Sequence, residues 1–186
     1  KWGYIDKTGK QVIIPQFYLA WGFSDGLALV EQNVKYGFIY GYIDKTGKQV
    51  IEPQFDDAGN FSDGLARVKQ NGKWGYIDKT GKQVIEPQFD IDSGFSDGLA
   101  RVKQNGKYGY IDKTGKQVIE PQFDEAGYFS DGLACIKQNG KYGYIDKTGK
   151  QVIEPQFDLA GSFSDGLACI KQNGKYGYID KSGKQA

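Results

Sequence analysis

The sequence of 186 residues has no histidine and no methionine, only 2 cysteines and 5 prolines, and no long apolar run. The missing histidine excludes His-based acid–base catalysis, histidine metal ligands and the usual pH switch near neutrality. Two cysteines cannot complete a four-thiolate zinc site. A membrane-spanning helix needs about 20 consecutive apolar residues. We therefore expect no membrane insertion.

The chain also has no excess of charge of one sign. The chain has 24 Lys and Arg against 23 Asp and Glu, a formal net charge of +1. Nucleic-acid and polybasic membrane partners both need a positive field, so we expect no nucleic-acid partner. No motif of the sequence points to a cofactor, and we expect none.

Glycine and aromatic residues are abundant, with 27 Gly, 13 Tyr, 11 Phe and 3 Trp. They recur with a period of 34 residues, as Asp44, Asp78 and Asp112 illustrate. The full copies occupy residues 2–35, 40–73, 74–107, 108–141 and 142–175, with an insert at 36–39 and a partial copy at 176–186. We expect residues 1–186 to form a single repeat array.

One copy predicts a meander of three antiparallel strands. The strands have the sequences GLARVKQ, KYGYIDK and KQVIEPQF, at residues 98–104, 107–113 and 116–123. Asn105-Gly106 between the first two strands is typical of a type I′ hairpin turn. Pro121 lacks an N–H, so the third strand should lie at a sheet edge. No segment has a 3.6-residue apolar period, and we expect almost no helix.

Both faces of this meander carry apolar or aromatic side chains, so each meander should pack between its neighbours. The sequence thus predicts an all-β fold of tandem three-stranded antiparallel meanders, joined by loops of about nine residues. We favour a propeller-like arrangement with about five blades. An open β-superhelix or solenoid stack is the alternative.

Three motifs recur in fixed order, for example KWGYID at 73–78, GKQVIEPQFD at 81–90 and FSDGLA at 95–100. In this order they resemble the bacterial WG-repeat, or KWG, family over essentially the whole chain. Tyr108, Tyr142 and Tyr176 stand where the family has Trp. The resemblance implies a bacterial repeat module, often attached to other domains and frequent in envelope or exported proteins. It implies no catalytic activity, and our best guess for its location is the bacterial cell envelope or outside the cell.

Acidic residues form the first candidate site: Asp112, Glu120, Asp124 and Asp131 recur in most copies. Repeated Asp-Gly patterns bind calcium in some proteins. The spacing here matches no known calcium loop, however, and Asp residues are typical of turns. We expect turn chemistry, no metal site and no catalytic residue. For the recurring Tyr108 and Tyr110 we likewise favour core packing over sugar binding.

The long loops are the surface on which we would expect binding, because differences between the copies concentrate there and loops on rigid scaffolds carry recognition. The candidate binding residues are Tyr18, Trp21, Asp57, Asn60, Asp92, Glu125, Tyr128 and Ser162. Trp21 and Tyr128 would be the anchors, since aromatic residues dominate hot spots. Neutral drift of exposed segments would produce the same variation.

Cys135 and Cys169 occupy one repeat position, where other copies have Leu29, Arg67 and Arg101. A position that accepts Arg should lie at or near the surface. Packed sheets are about 10 Å apart, too far for a disulfide. We predict that both cysteines are free and, without a histidine to activate them, not nucleophiles.

Together these features predict a non-enzymatic repeat scaffold that presents loops to a protein or a glycan. The alternative is a structural spacer that self-associates end to end through uncapped repeat ends.

Overall fold

The computed structural model describes residues 1–35 and 37–185, without the side chain of Asp92. These residues form 21 β-strands and no helix. The chain divides into two compact units, Lys1–Gln88 and Phe89–Ala186. Two residues of the predicted segments, Tyr36 of the insert and Ala186 of the partial copy, lie outside the described residues.

The first unit contains three antiparallel sheets. Sheet I consists of β1 (Trp2–Ile5) and β2 (Gln11–Phe17). Sheet II consists of β3 (Leu19–Ser24), β4 (Leu27–Val34), β5 (Gly37–Asp44) and β6 (Gln49–Phe55). Sheet III consists of β7 (Asp57–Ala58), β8 (Leu65–Gln70), β9 (Lys73–Asp78) and β10 (Gln83–Phe89), whose last residue begins the second unit.

The second unit continues the pattern. Sheet IV consists of β11 (Ile91–Ser96), β12 (Leu99–Gln104), β13 (Lys107–Ile111) and β14 (Gln117–Phe123). Sheet V consists of β15 (Glu125–Ser130), β16 (Leu133–Gln138), β17 (Lys141–Asp146) and β18 (Gln151–Phe157). Sheet VI consists of β19 (Leu159–Ala160), β20 (Leu167–Gln172) and β21 (Lys175–Asp180).

The all-β tandem architecture is confirmed, but the predicted loops contain a further strand. In sheet V the segment EAGYFS forms β15, which pairs with β16 from Glu125 opposite Lys137 to Ser130 opposite Leu133. The Asp-Gly pair at 131–132 has φ angles of 53° and 82° and connects them. A type I′ hairpin turn needs positive φ at both central residues. The Asp-Gly pair therefore joins two strands of one sheet, and the complete sheets have four strands rather than three.

The other local predictions are confirmed. Asn105 and Gly106 have φ angles of 52° and 81°, as a type I′ turn requires. Pro121 lies in β14, an edge strand of sheet IV. Gly109 on the neighbouring strand is explained by close approach: a Cβ there would lie 2.5 Å from the backbone oxygen of Ile119.

The insert lengthens one hairpin. β4 and β5 have eight residues each, and their ladder extends to Val34 opposite Gly37. The extra residues thus continue a regular ladder at its turn end.

Successive sheets within each unit pack face to face and bury the apolar side chains that lie between them. Between sheets IV and V, the ring of Tyr110 lies 4.8 Å from that of Phe129, and both side chains are buried. The Tyr110 hydroxyl donates to the backbone oxygen of Gly127 at 2.7 Å. The same arrangement recurs between sheets V and VI through Tyr144 and Phe163. The first unit has corresponding clusters between its sheets.

Candidate functional site

Most of the residues that differ between the later copies lie on the first strand of each sheet and at its ends. We call the exposed side chains of β3, β7, β11, β15 and β19, with the residue before each strand, the edge-strand surface. Tyr18, Ile91, Tyr128 and Leu159 are between 39% and 49% exposed there. The other strands of each sheet repeat with few changes. Many of the variable positions therefore lie on edge strands or directly beside them, where loops were predicted.

In the first unit, two aromatic candidates have different surroundings. Tyr18 is exposed, and its ring lies 4.8 Å from that of Phe38. Trp21 is half-buried, lies 6.1 Å from the ring of Tyr40 and packs against the cluster that contains Leu29. Trp21 is thus part of the packing between sheets II and III and not a side chain displayed on a loop.

The polar candidates of the first unit lie on or beside β7. Asp57 is exposed, and its carboxylate accepts a hydrogen bond from the N–H of Ala58 at 2.8 Å. Asn60 follows the strand and is exposed. In the second unit Asp92 lies in β11, and its side chain is outside the described part of the chain.

Glu125 is the most strongly paired candidate. Its carboxylate accepts hydrogen bonds from the Lys137 ammonium at 2.8 Å and from the Tyr142 hydroxyl at 2.7 Å. These two hydrogen bonds hold the pKa of Glu125 below its usual value, and the bond to Glu125 raises the pKa of Tyr142. The group therefore presents a fixed carboxylate at the edge of sheet V.

A cavity of about 270 Å³ opens between sheets V and VI. We call it the V–VI cavity, and its lining includes Glu125, Gly127, Cys135, Tyr142, Ala160 and Ser162. The structure thus brings two of the predicted candidates, Glu125 and Ser162, to one site. The other candidates do not line it.

Cys135 forms the inner wall of this cavity. It is only 7% exposed, so the expectation of a near-surface position is wrong for this residue, because sheet VI packs over it. Its Sγ donates to the backbone oxygen of Ala160 at 3.6 Å. Burial raises the pKa of its thiol to about 12. Cys169 is exposed, and both thiols are free.

Arg101 occupies the equivalent place between sheets IV and V, and it was not among the predicted binding residues. Its guanidinium donates to the Ser93 hydroxyl at 2.6 Å and to the backbone oxygen of Ala126 at 2.5 Å. It lies 5.3 Å from the ring centroid of Tyr108 and 5.0 Å from that of Tyr128. The sequence signal that could have identified this position is its variation between copies, from Leu to Arg to Cys.

The acidic residues serve turns and contacts between sheets. One oxygen of Asp112 accepts from the N–H of Thr114 at 2.8 Å and from its hydroxyl at 2.6 Å, which confirms the turn prediction. The Thr114 hydroxyl is the main cause of the lowered pKa of Asp112. Asp131 instead reaches the next sheet, where it accepts from the N–H of Gly166 at 2.9 Å.

Residues 1–35 and 37–185 include no group of three or more His, Cys, Asp or Glu side chains placed to hold a metal ion. Over the same ranges there is no helix with the length and hydropathy needed to cross a membrane.

The chain belongs to the family described as WG containing repeat. Five copies of the repeat match at residues 2–36, 40–74, 74–108, 108–142 and 142–176. The resemblance inferred from the three motifs is thereby confirmed. No curated protein matches the chain.

Solved structures of propeller-like proteins resemble the chain in fold. Apo AztD from Citrobacter koseri has a TM-score of 0.53 and 13% identity, over 96% of this chain and 62% of that one. Kluyveromyces lactis Hsv2 has a TM-score of 0.49 and 12% identity, over 86% of this chain and 58% of that one. A third structure is the extracellular domain of the putative hybrid two component system BT4673 from B. thetaiotaomicron. It has a TM-score of 0.46 and 13% identity, over 97% of this chain and 29% of that one.

These likenesses concern the fold alone, since the identities are low and this chain spans about 60% of the length of the first two structures. The likeness to apo AztD agrees with a tandem array of small antiparallel sheets. The described residues form six small sheets, where about five blades were predicted, and closure into a ring stays a prediction.

Proposed function

We propose that this chain is a non-enzymatic binding scaffold that recognises a protein or a glycan through its edge-strand surface. The observation that carries the proposal is the distribution of differences between copies. Positions 108–141 and 142–175 differ only at Glu125/Leu159 and Tyr128/Ser162, and all four residues lie on or beside β15 and β19. A constant scaffold with variable exposed positions is the organisation that repeat proteins use for recognition.

The composition of the surface supports this role. Tyr128 is 45% exposed, and the Arg101 guanidinium lies over one face of its ring. A tyrosine held in this way provides contact area with little loss of conformational entropy. Within the second unit it is the strongest candidate for an anchor.

The local hydrogen bonds of the acidic residues also support a non-enzymatic role. The carboxylates of the Asp-Lys-Thr-Gly turns accept three local hydrogen bonds each, as at Asp112. A carboxylate engaged in this way, with a lowered pKa, is a poor general base at neutral pH. We therefore propose that these residues stabilise turns and do not act on a substrate.

The test compares two exposed residues of sheet V. Tyr128→Ala alters the edge-strand surface, and Val152→Ala alters a constant position that is 42% exposed on β18. Both variants and the unchanged chain are applied to a glycan array and to affinity capture from bacterial envelope extracts. We expect Tyr128→Ala to lose the specific ligand and Val152→Ala to keep it. Equal binding by both variants would place recognition elsewhere and refute the proposal.

End-to-end self-association is a second candidate, favoured by the exposed face of sheet VI. Tyr178 is 56% exposed and Tyr176 is 68% exposed, whereas Tyr144, the equivalent of Tyr178 in sheet V, is fully buried. A second copy of the chain would be the occupant of this face. Sedimentation velocity across a range of concentrations tests it, and a monomer at every concentration would exclude it.

A further inference from the structure

The interface between sheets IV and V shows how this fold holds an arginine side chain. The Arg101 guanidinium lies between the rings of Tyr108 and Tyr128, 5.3 Å and 5.0 Å from their centroids. It bridges the two sheets by donating to the Ser93 hydroxyl and to the backbone oxygen of Ala126. Two ring faces and two acceptors around a planar cation are the surroundings that suit guanidinium.

The next interface keeps part of these surroundings and lacks the arginine. The residues equivalent to Arg101, Ser93 and Tyr128 are all smaller there, namely Cys135, Gly127 and Ser162. The ring equivalent to Tyr108 is kept as Tyr142, and the acceptor equivalent to the Ala126 oxygen is kept as the Ala160 oxygen. The smaller side chains leave the V–VI cavity of about 270 Å³.

The charges around the two rings differ in the direction that favours a cation. In sheet IV, Arg101 and the Lys103 ammonium, 4.9 Å from the ring centroid, both lie near Tyr108. In sheet V Lys137 lies over Tyr142, at 5.0 Å, and Cys135 stands at the position of Arg101. The position of Ile91 in sheet IV is also changed to an acid, Glu125, in sheet V.

Glu125 is held at the cavity by its hydrogen bonds to Lys137 and Tyr142. A carboxylate accepts through two oxygens and several lone pairs, so these bonds leave further acceptor capacity. Among the described side chains, the V–VI cavity has one cation fewer and one carboxylate more than the interface that holds Arg101. An added positive charge is therefore favoured at this place.

We propose that the V–VI cavity binds the guanidinium group of an arginine side chain from a protein partner. The proposal rests on the proposed binding function and assigns it a partner class and a place. The ring of Tyr142, the Ala160 oxygen and the Glu125 carboxylate would receive the group. A planar guanidinium lies flat on a ring while the N–H groups at its edge donate to acceptors in the same plane, whereas an ammonium has no plane to stack. We assign a protein side chain because a polypeptide arginine fills the equivalent place one repeat earlier.

The test titrates the full chain with acetyl-Gly-Arg-Gly-amide and follows the backbone amide signals of Gly127 and Gly161 by NMR. The matched probes are the lysine peptide, the citrulline peptide, which is neutral, and methylguanidinium as a free source of the same group. We expect the arginine peptide to bind at least about tenfold more tightly than the citrulline and lysine peptides. Equal binding of citrulline would overturn the proposal. Methylguanidinium binding as tightly as the arginine peptide would overturn the assignment to a protein side chain.

Two variants at one repeat position provide the control. Cys135→Arg places the chain's own guanidinium in the cavity, and we expect it to reduce peptide affinity at least about tenfold. Cys169→Arg adds the same charge at an exposed site outside the cavity and should leave the affinity unchanged. If Cys135→Arg does not fold, Glu125→Ile, which copies sheet IV, should lower the affinity about fivefold. Unchanged affinity in either variant would refute the proposal.

The outcome separates this inference from the proposed function. A ligand that is lost with Tyr128→Ala but is bound equally by Cys135→Arg would leave the binding scaffold intact and remove the arginine site. A chain that binds no ligand through the edge-strand surface and no arginine peptide would remove both.

Discussion

Replacing Gly143 by alanine should destabilise the chain strongly, whereas the same change at the equivalent Gly177 should not. A Cβ on Gly143 would lie 2.5 Å from the backbone oxygen of Ile153 and 2.6 Å from the backbone nitrogen of Pro155. Both are atoms of β18, so no side-chain rotation relieves the overlap. At Gly177 the nearest atom is Nε2 of the Gln185 side chain, at 3.3 Å, and that side chain is free to move.

The size of the stability loss in Gly143→Ala depends on how far β17 and β18 must move apart. Ordinary van der Waals distance requires β17 and β18 to separate by roughly 1 Å. This strains the pairing of Tyr144 with Ile153 and of Tyr142 with Phe157. Ile153 and Phe157 are 4% and 3% exposed, so the core between sheets V and VI is displaced as well. Overpacking of this kind costs about 3 kcal/mol, which exceeds the gain of about 0.5–1 kcal/mol from alanine in a strand.

Urea denaturation followed by far-UV circular dichroism measures the effect. We expect Gly143→Ala to lower the free energy of unfolding by about 2–2.5 kcal/mol and Gly177→Ala to change it by less than about 1 kcal/mol. A thermal scan should show Gly143→Ala melting about 4–12 °C lower. If the two variants lose the same stability, the close approach of β17 and β18 is not the reason for this glycine.

Three further predictions concern single groups. Tyr144→Phe removes a buried hydroxyl that donates to the next sheet at 2.8 Å, and should cost about 1–2 kcal/mol in urea denaturation, while Tyr178→Phe, at an exposed ring, should cost almost nothing. Hydroxyl and backbone donors lower the folded-state pKa of the aspartates that open the Asp-Lys-Thr-Gly turns. The stability that these aspartates add to the folded state is therefore fully present above their unfolded pKa of about 4, and it is lost as the pH falls through their lower folded-state pKa. Asp146→Asn should therefore show a shallower loss of melting temperature between about pH 4 and pH 2 than the unchanged chain, and an identical slope would contradict this. Cys169 should react with a maleimide at neutral pH within minutes and Cys135 far more slowly, since its thiol is buried and its pKa is raised, and mass spectrometry of the labelled peptides would reveal equal rates if burial were not the cause.

Three strands of each complete sheet and the turns between them were predictable because their causes are local. Asn-Gly and Asp-Gly pairs select turns with positive φ, and Pro121 is confined to an edge strand because it has no N–H to donate. The alternation of apolar residues on both sides of the meander requires neighbours on both faces. These properties need no knowledge of distant residues, and the 34-residue period then repeats them along the chain.

The candidate site was only partly predictable. The variable positions were found by comparing copies, and Glu125 and Ser162 among them line one cavity. Arg101 and Cys135 were not identified as parts of a site, because their importance comes from groups on another sheet. The fourth strand was also missed, since its pairing with the following strand depends on a hairpin whose first arm contains a bulge.

Cys135 and Cys169 show why tertiary structure had to decide the remainder. Both lie in the same local sequence, GLACIKQNGKYGYIDK, and both occupy the same place on a strand. Cys135 is buried and Cys169 is exposed. Local sequence specifies the strand, the turn and the direction of the side chain. Burial, the raised pKa of Cys135 and the V–VI cavity arise only where another sheet packs over that face, because desolvation and van der Waals contact depend on atoms that are distant in the sequence.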